Sequence, residues 1–226
     1  APKTPAKGAS SRHCGHLSTP NHGRRSFVQT FLSISANEPS GAHWVSRFPG
    51  SRSISECAEP FRSNLTSFVS ALKDAGVMVK ISATLRPPER AYMMHWCWLI
   101  AKGKADPKKV PSMNGVPIKW DHEVDGKYSK EKSIVAAKEM LIGFGMQKLG
   151  TAPALDSKHI RGLAVDMNVT WDGALTIKDA NNKSIIINTQ PTDGMNKELH
   201  AVGATYCVIK YNAGGVDKPH WSDTGN

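Results

Sequence analysis

Ser157-Lys158-His159-Ile160-Arg161-Gly162-Leu163-Ala164-Val165-Asp166 is the stretch on which the reading of this chain turns. Gly162 permits a tight backbone path after His159. Beyond it the pattern becomes that of a strand: Leu163, Val165 and Met167 point to a core, while Ala164 and Asp166 share the opposite face. A turn histidine and a strand aspartate seven residues later are both zinc-compatible ligands. The small Ala164 leaves room beside an ion. A second cluster lies near the other end of the chain, where Asp217-Lys218-Pro219-His220-Trp221 supplies a carboxylate three residues before another histidine. His159, Asp166 and His220 then make three protein ligands with one position open, the pattern of a catalytic zinc.

The chemistry of the remaining residues follows from charge. A zinc-bound water ionises near pH 7, and a carboxylate that is not itself a ligand can take the proton. Asp217 is the candidate base, since its spacing from His220 divides metal binding from proton transfer; Glu198 is the alternative. Arg86, after the Ile81–Thr84 stretch, is of the right type to stabilise an oxyanion or bind a substrate carboxylate. Ser157 is expected either to bind substrate or to orient the turn, and Arg161 to be solvated. His200 is a rival ligand, but its place in a short helix over 196–202 favours packing. His95-Trp96-Cys97-Trp98 reads as core, with sugar stacking the competing interpretation.

Working outward, Lys183–Asn188 and Ala174–Lys178 flank Asp-Ala-Asn-Asn and predict a hairpin. Phe61, Leu65, Phe68, Val69 and Leu72 recur at three and four residue steps, so they predict an amphipathic helix ending near Gly76. Val77–Thr84 reads as a buried strand. A helix through Tyr92, His95, Trp96 and Leu99 is stopped by Gly103 and Pro107, and another runs from Lys130 to Phe144 with Ile134, Ala137, Met140 and Leu141 on one face. The 103–128 stretch reads as a long loop. Helices dominate the first half and strands the second, which predicts an α+β domain. The expected architecture is a small central antiparallel sheet carrying the zinc site, flanking helices and extra N-terminal helices.

Residues 1–25 have the Pro, Lys, Ser, Gly and His content of a flexible arm, leaving 26–226 as the folded domain. His13, Cys14, His16 and His22 in that arm match no zinc-finger spacing and read as solvated. The chain of 226 residues is long enough to bury roughly 70% of its unfolded surface. The longest near-apolar run, Met93–Ala101, falls well short of the roughly 20 residues that span a bilayer, so no membrane span is expected. Twenty-nine Lys and Arg against nineteen Asp and Glu leave a net charge of +10, which favours anionic partners. The basic residues are spread along the chain instead of forming a stripe between aromatics, which weighs against nucleic acid. Cys14, Cys57, Cys97 and Cys207 contain no C-x-x-C pair, so a structural zinc knuckle is not supported; disulfides and free thiols both remain open.

The pattern S-x-H-x-x-G-x-A-x-D followed by a late D-x-x-H resembles the LAS-type zinc peptidases of peptidoglycan stem peptides. These comprise D-alanyl-D-alanine carboxypeptidases and the L-alanoyl-D-glutamate endopeptidases of phage lysins. The resemblance implies His159, Asp166 and His220 as zinc ligands, Asp217 as base, and Arg86 as the arginine that binds substrate or intermediate. Around Arg86 this chain reads S-A-T-L-R-P-P-E-R, where the family has an S-G-Y-R-S-like segment and a following glutamine. The likeness spans 77–95 and 150–222, leaving 1–60 and 103–128 outside the family core. His43–Ser51 with Arg86–Tyr92 is also similar to peptidase domains attached to bacterial secretion-system toxins. That branch implies action in the bacterial periplasm or cell wall, with peptidoglycan as substrate and an immunity or delivery protein as partner. Two further classes compete: a basic nuclease-type toxin, and a non-catalytic zinc-containing module that binds the wall.

Overall fold

The structure, a computed structural model, describes residues 37–211 and 217–226. The expected arm over 1–25 lies outside the described residues. After β1 (Glu38–Pro39) come two 3₁₀ turns, Ala42–Trp44 and Ile54–Glu56, and no α-helix precedes Phe61 within the described part. The expected extra N-terminal helices are therefore absent over 37–60. Serine and proline recur there, favouring backbone hydrogen bonds outside a helical ladder.

Helix α1 (Phe61–Asp74) follows its predicted spacing, burying Phe61, Leu65, Phe68, Val69 and Leu72. It ends in a Schellman motif: Val77 N–H donates to the Leu72 carbonyl at 2.9 Å, and Gly76 N–H to that of Lys73 at 2.9 Å. Gly76 closes the motif with a φ of +81°, which glycine adopts without penalty. Strand β2 (Met78–Ala83) comes next, then α2 (Pro88–Ala101), with a proline in its first turn, where no intrahelical donor is lost. Strands β3 (Ile118–Lys119), β4 (His122–Val124) and β5 (Lys127–Ser129) lead to α3 (Lys130–Gly143), whose N-cap Ser129 accepts from Lys132 N–H. The chain continues through β6 (Ala164–Thr170), the hairpin β7 (Leu175–Lys178) and β8 (Ser184–Ile187), α4 (Lys197–Thr205), β9 (Ile209–Lys210) and β10 (His220–Ser222).

The fold is thus mixed, with four α-helices and several small sheets among the described residues. The largest sheet is four-stranded, in the order β2-β6-β10-β9, and antiparallel throughout. One of its faces packs on α1 and α4: Val165, Met167 and Val169 of β6 meet Phe68, Leu199 and Trp221 in one buried cluster. Burying each such side chain contributes roughly 1.5–3 kcal/mol. A second cluster joins α2 to α3 through Met93, Trp98 and Met140, and takes in Val116, Ile118 and Trp120.

Two expectations need correction. Strand β2 is not buried: it lies at the sheet edge, its residues alternate between exposed and half-buried, and Met78 is 73% exposed. An edge strand has no neighbour to cover its outer side. Nor is 103–128 a plain loop, because β3, β4 and β5 begin or lie within it and Trp120 is only 4% exposed. Its hairpin closes through Asp125 (φ 51°) and Gly126 (φ 71°), the Asp-Gly pairing that a two-residue turn demands.

Candidate metal centre

His159 stands on a turn held by its own backbone. The Ser157 carbonyl accepts from Ile160 N–H at 3.1 Å, and Leu163 N–H donates to the Lys158 carbonyl at 2.8 Å. Gly162 is required twice here. Its φ is +68°, and a Cβ would stand 2.9 Å from the backbone nitrogen of Ala58, whose N–H donates to the Gly162 carbonyl. The turn feeds directly into β6, where Asp166 faces outward. Across the ladder, His220 is the register partner of Asp166 and Ser222 that of Ala164. Directly opposed residues on one face of an antiparallel pair hold their side chains within reach of each other. Met167 N–H also donates to the Pro219 carbonyl at 2.9 Å, which fixes β10 against β6.

Three atoms converge as a result. His159 Nε2 lies 3.1 Å from Asp166 Oδ1 and 3.2 Å from His220 Nδ1, and His220 Nδ1 lies 3.2 Å from Asp166 Oδ1. Among the described residues, no other trio of His, Cys, Asp or Glu side chains converges in this way. The outer ring nitrogens decide what the inner ones present. His159 Nδ1–H donates to the Thr84 carbonyl at 2.6 Å, and His220 Nε2–H to the Asn226 carbonyl at 3.4 Å. Neutral imidazoles held this way turn bare lone pairs toward the carboxylate. Such a triangle of acceptors repels itself unless a cation or a shared proton sits among them.

Its size fits an ion. Ligands at about 2.0–2.1 Å from one tetrahedral centre stand roughly 3.3 Å apart, and the observed edges are 3.1 and 3.2 Å. The His159–Asp166–His220 group could therefore hold a metal ion. His159 and His220 are buried, at 5% and 8% exposure, whereas the Asp166 side chain keeps 20% and opens the triangle on one side. Burial pushes the Asp166 carboxyl up, but a proton shared with the two imidazoles, donated along their contacts with it, outweighs that and holds it well below the usual carboxylate range. It remains ionised.

The other expected residues lie around this triangle. The Asp217 carboxylate is 4.0 Å from His220 Nδ1, with its side chain 52% exposed, so it borders the group without joining it. Arg86 N–H donates to the His159 carbonyl at 3.1 Å. Burial lowers the pKa of its guanidinium, and the charges of Asp166 and Asp217 act against that lowering. The Ser157 hydroxyl is buried with no hydrogen-bond partner among the described residues, while its carbonyl organises the turn, so both uses expected of this residue stay open. Arg161 pairs at 3.4 Å with Asp156 at the surface. Glu198 accepts from Thr189 Oγ1 at the start of α4, outside the triangle. His200 packs edge-on against Trp221 and contacts the Gly194 carbonyl at 2.9 Å, so it is a packing residue. The aromatic run of α2 is also largely core: Trp98 is 3% exposed and Trp96 packs on the same cluster.

One contributor escaped the sequence reading. Lys210 is 3% exposed, and its ammonium donates to the carbonyls of His220 at 2.9 Å and Asp217 at 3.3 Å. The available signal was its position two residues after Val208, on the inward phase of a strand, where a lysine has to find internal acceptors.

A larger hollow of about 560 Å³ lies elsewhere, between α1 and the β7–β8 hairpin, and its lining contains no histidine or cysteine. No helix among the described residues is long and apolar enough to cross a membrane. No protein-family model, curated protein or solved structure matches the chain.

Proposed function

We propose that this chain is a zinc-dependent peptidase of bacterial peptidoglycan, hydrolysing a stem-peptide or crosslink amide. The observation that carries the reading is the buried triangle of His159, Asp166 and His220, with both outer imidazole nitrogens tied to carbonyls. Two imidazoles and one carboxylate are a zinc-type donor set. The likeness of the two motifs to the LAS-type peptidases supports the substrate class, and the basic net charge suits an anionic envelope polymer. On this reading the protein acts in the periplasm or cell wall, with an immunity or delivery protein as its protein partner.

Zinc bound there would supply Lewis acidity toward a carbonyl and bring the pKa of water to about 7. The chain does the rest. His159, Asp166 and His220 hold the ion. Asp217 Oδ2, near the triangle and open to solvent, takes the proton of the attacking water and returns it to the leaving amine. The Arg86 guanidinium donates to the substrate oxygen as negative charge develops. The unpartnered Ser157 hydroxyl offers a hydrogen bond to a substrate polar group.

Metal-loaded protein incubated with purified peptidoglycan, and separately with DNA, tests this. Mass spectrometry of the muropeptides should show loss of terminal D-Ala, an opened crosslink, or a stem freed at D-Glu. Cleavage of DNA with intact muropeptides would favour the nuclease class, and binding to the wall without new products would favour a non-catalytic module.

A further inference from the structure

Of the six arginines among the described residues, Arg47, Arg62 and Arg161 are each ion-paired, to Glu38, Glu59 and Asp156. The other three, Arg52, Arg86 and Arg90, have no carboxylate within 4.0 Å among the described residues, and all three line one cleft of about 230 Å³ together with His159. The cleft's lining contains no aspartate or glutamate. Three guanidinium groups gathered with no carboxylate in direct contact repel one another, and an anion between them relieves that repulsion.

The three are not equivalent. Arg86 lies within the field of Asp166 and Asp217 and is partly compensated. Arg90 is tethered: its Nη1 donates to the carbonyls of Val45 at 3.0 Å and Phe48 at 3.3 Å, and its guanidinium stacks on Phe144 at 4.8 Å. Arg52 is exposed, and its side chain makes no hydrogen bond among the described residues. Its backbone is nevertheless fixed, because Ser51 N–H donates to the Leu85 carbonyl at 2.8 Å, Thr84 N–H to that of Ser51 at 2.8 Å, and Thr84 Oγ1 to that of Ser53 at 2.9 Å. The loop that precedes α1 thus forms one wall of the cleft and offers the Arg52 guanidinium on the same lining as His159.

We infer that Arg52, with Arg90 behind it, forms a subsite for a substrate carboxylate separate from the scissile amide, so that this chain selects peptides with a free acidic group near the cut. The substrate's identity as a peptide rests on the peptidase reading; the anion subsite does not. A volume of about 230 Å³ suits one acidic side chain or chain end and not a groove for a polymer backbone. Guanidinium groups match a carboxylate through paired N–H donors, which a lysine cannot do.

The test uses the full chain, metal-loaded, with two synthetic stem peptides that differ only in whether the acidic residue carries a free carboxylate or its carboxamide. Wild type is expected to prefer the carboxylate peptide by about tenfold or more in kcat/KM, as for a charge-assisted contact. Arg52→Gln should erase that preference, and Arg52→Lys should restore it in part. Equal kcat/KM for the two peptides in wild type, or an Arg52→Gln loss of the same size on both, overturns the subsite. If neither peptide is cut, the peptidase reading fails and the subsite is read by calorimetry instead. The carboxylate peptide should then bind more tightly than the carboxamide, and the difference should vanish in Arg52→Gln. Binding of inorganic phosphate or an oligonucleotide through Arg52, with no discrimination between the peptides, overturns the carboxylate assignment.

Discussion

The Lys210 ammonium lies 2.9 Å from the backbone carbonyl of His220 and 3.3 Å from that of Asp217, at the turn over 217–219 that leads into β10. It also stands 5.4 Å from the Trp221 ring centroid. A buried lysine whose donors go to main-chain oxygens holds a backbone shape and not a carboxylate. Lys210→Met keeps the aliphatic length and removes the charged donor, leaving the His220 carbonyl with Tyr211 N–H and the Asp217 carbonyl with His220 N–H alone, at a cost of about 1–3 kcal/mol. We predict a lower unfolding midpoint and metal binding weakened about 10- to 100-fold, as for loss of a group that orients a ligand. Chelator competition beside thermal unfolding checks it; wild-type metal affinity in the variant would remove Lys210 from this role.

Gly162 couples the His159 turn to the segment that precedes α1. Alanine there meets two obstacles, a φ of +68° and a Cβ 2.9 Å from the Ala58 nitrogen. The strained backbone alone costs on the order of 1–3 kcal/mol. Gly162→Ala should therefore lower the urea midpoint and, because His159 lies three residues upstream, weaken metal binding as well. Gly173 also has a positive φ but meets nothing within 4 Å, so Gly173→Ala should cost stability without touching the metal. Parallel denaturation and metal titrations separate the two effects.

The three residues that meet in the triangle, His159, Asp166 and His220, could be anticipated because they lie in two short motifs whose internal spacing is local: a turn glycine after His159, alternation into Asp166, and a histidine three residues after Asp217. Their convergence is non-local, set by the register of β10 on β6, and composition carries no trace of register. Helix α1 was legible from apolar spacing because its one buried face leaves the rest polar. The edge position of β2 was not, since the valine and isoleucine of an edge strand look like those of a central one. The Asp125-Gly126 hairpin was masked by lysines and prolines around it, although Asp-Gly is itself a strong turn signal. Lys210, Arg52 and Arg90 went unnoticed for a common reason: one basic residue among many shows its use only once its acceptors, or its lack of them, are visible.

Cys57 and Cys97 are free and buried, with thiols pushed up by burial to about 11 and about 12. Only the thiolate is an effective nucleophile. Alkylation at pH 8 should leave both unmodified in native protein and label both in urea, as read by peptide mass spectrometry. A second consequence concerns alkaline stability. In the unfolded chain these thiols ionise near pH 8.5, whereas the folded protein still holds their protons. Unfolding then releases protons, so stability should fall as pH rises from about 8.5 toward 11. A melting temperature that stays flat over that range would contradict the buried-thiol assignment.

The proposed mechanism assigns proton transfer to Asp217 and metal binding to His159, and their alanine variants should part accordingly. The Asp217 carboxylate is half exposed and 4.0 Å from His220 Nδ1, so its removal leaves the His159, Asp166 and His220 triangle intact. Asp217→Ala should keep its metal and lose turnover by about 10²- to 10⁴-fold, the contribution of a positioned base. His159→Ala removes one of three ligands and the link to the Thr84 carbonyl, so metal and turnover should go together. Asp217→Asn sharpens the comparison by preserving shape while removing the proton acceptor. Metal content by elemental analysis and turnover on peptidoglycan, measured on the same preparations, give the answer: normal hydrolysis by Asp217→Ala would assign the base elsewhere, and full metal occupancy in His159→Ala would dissolve the triangle as the binding group.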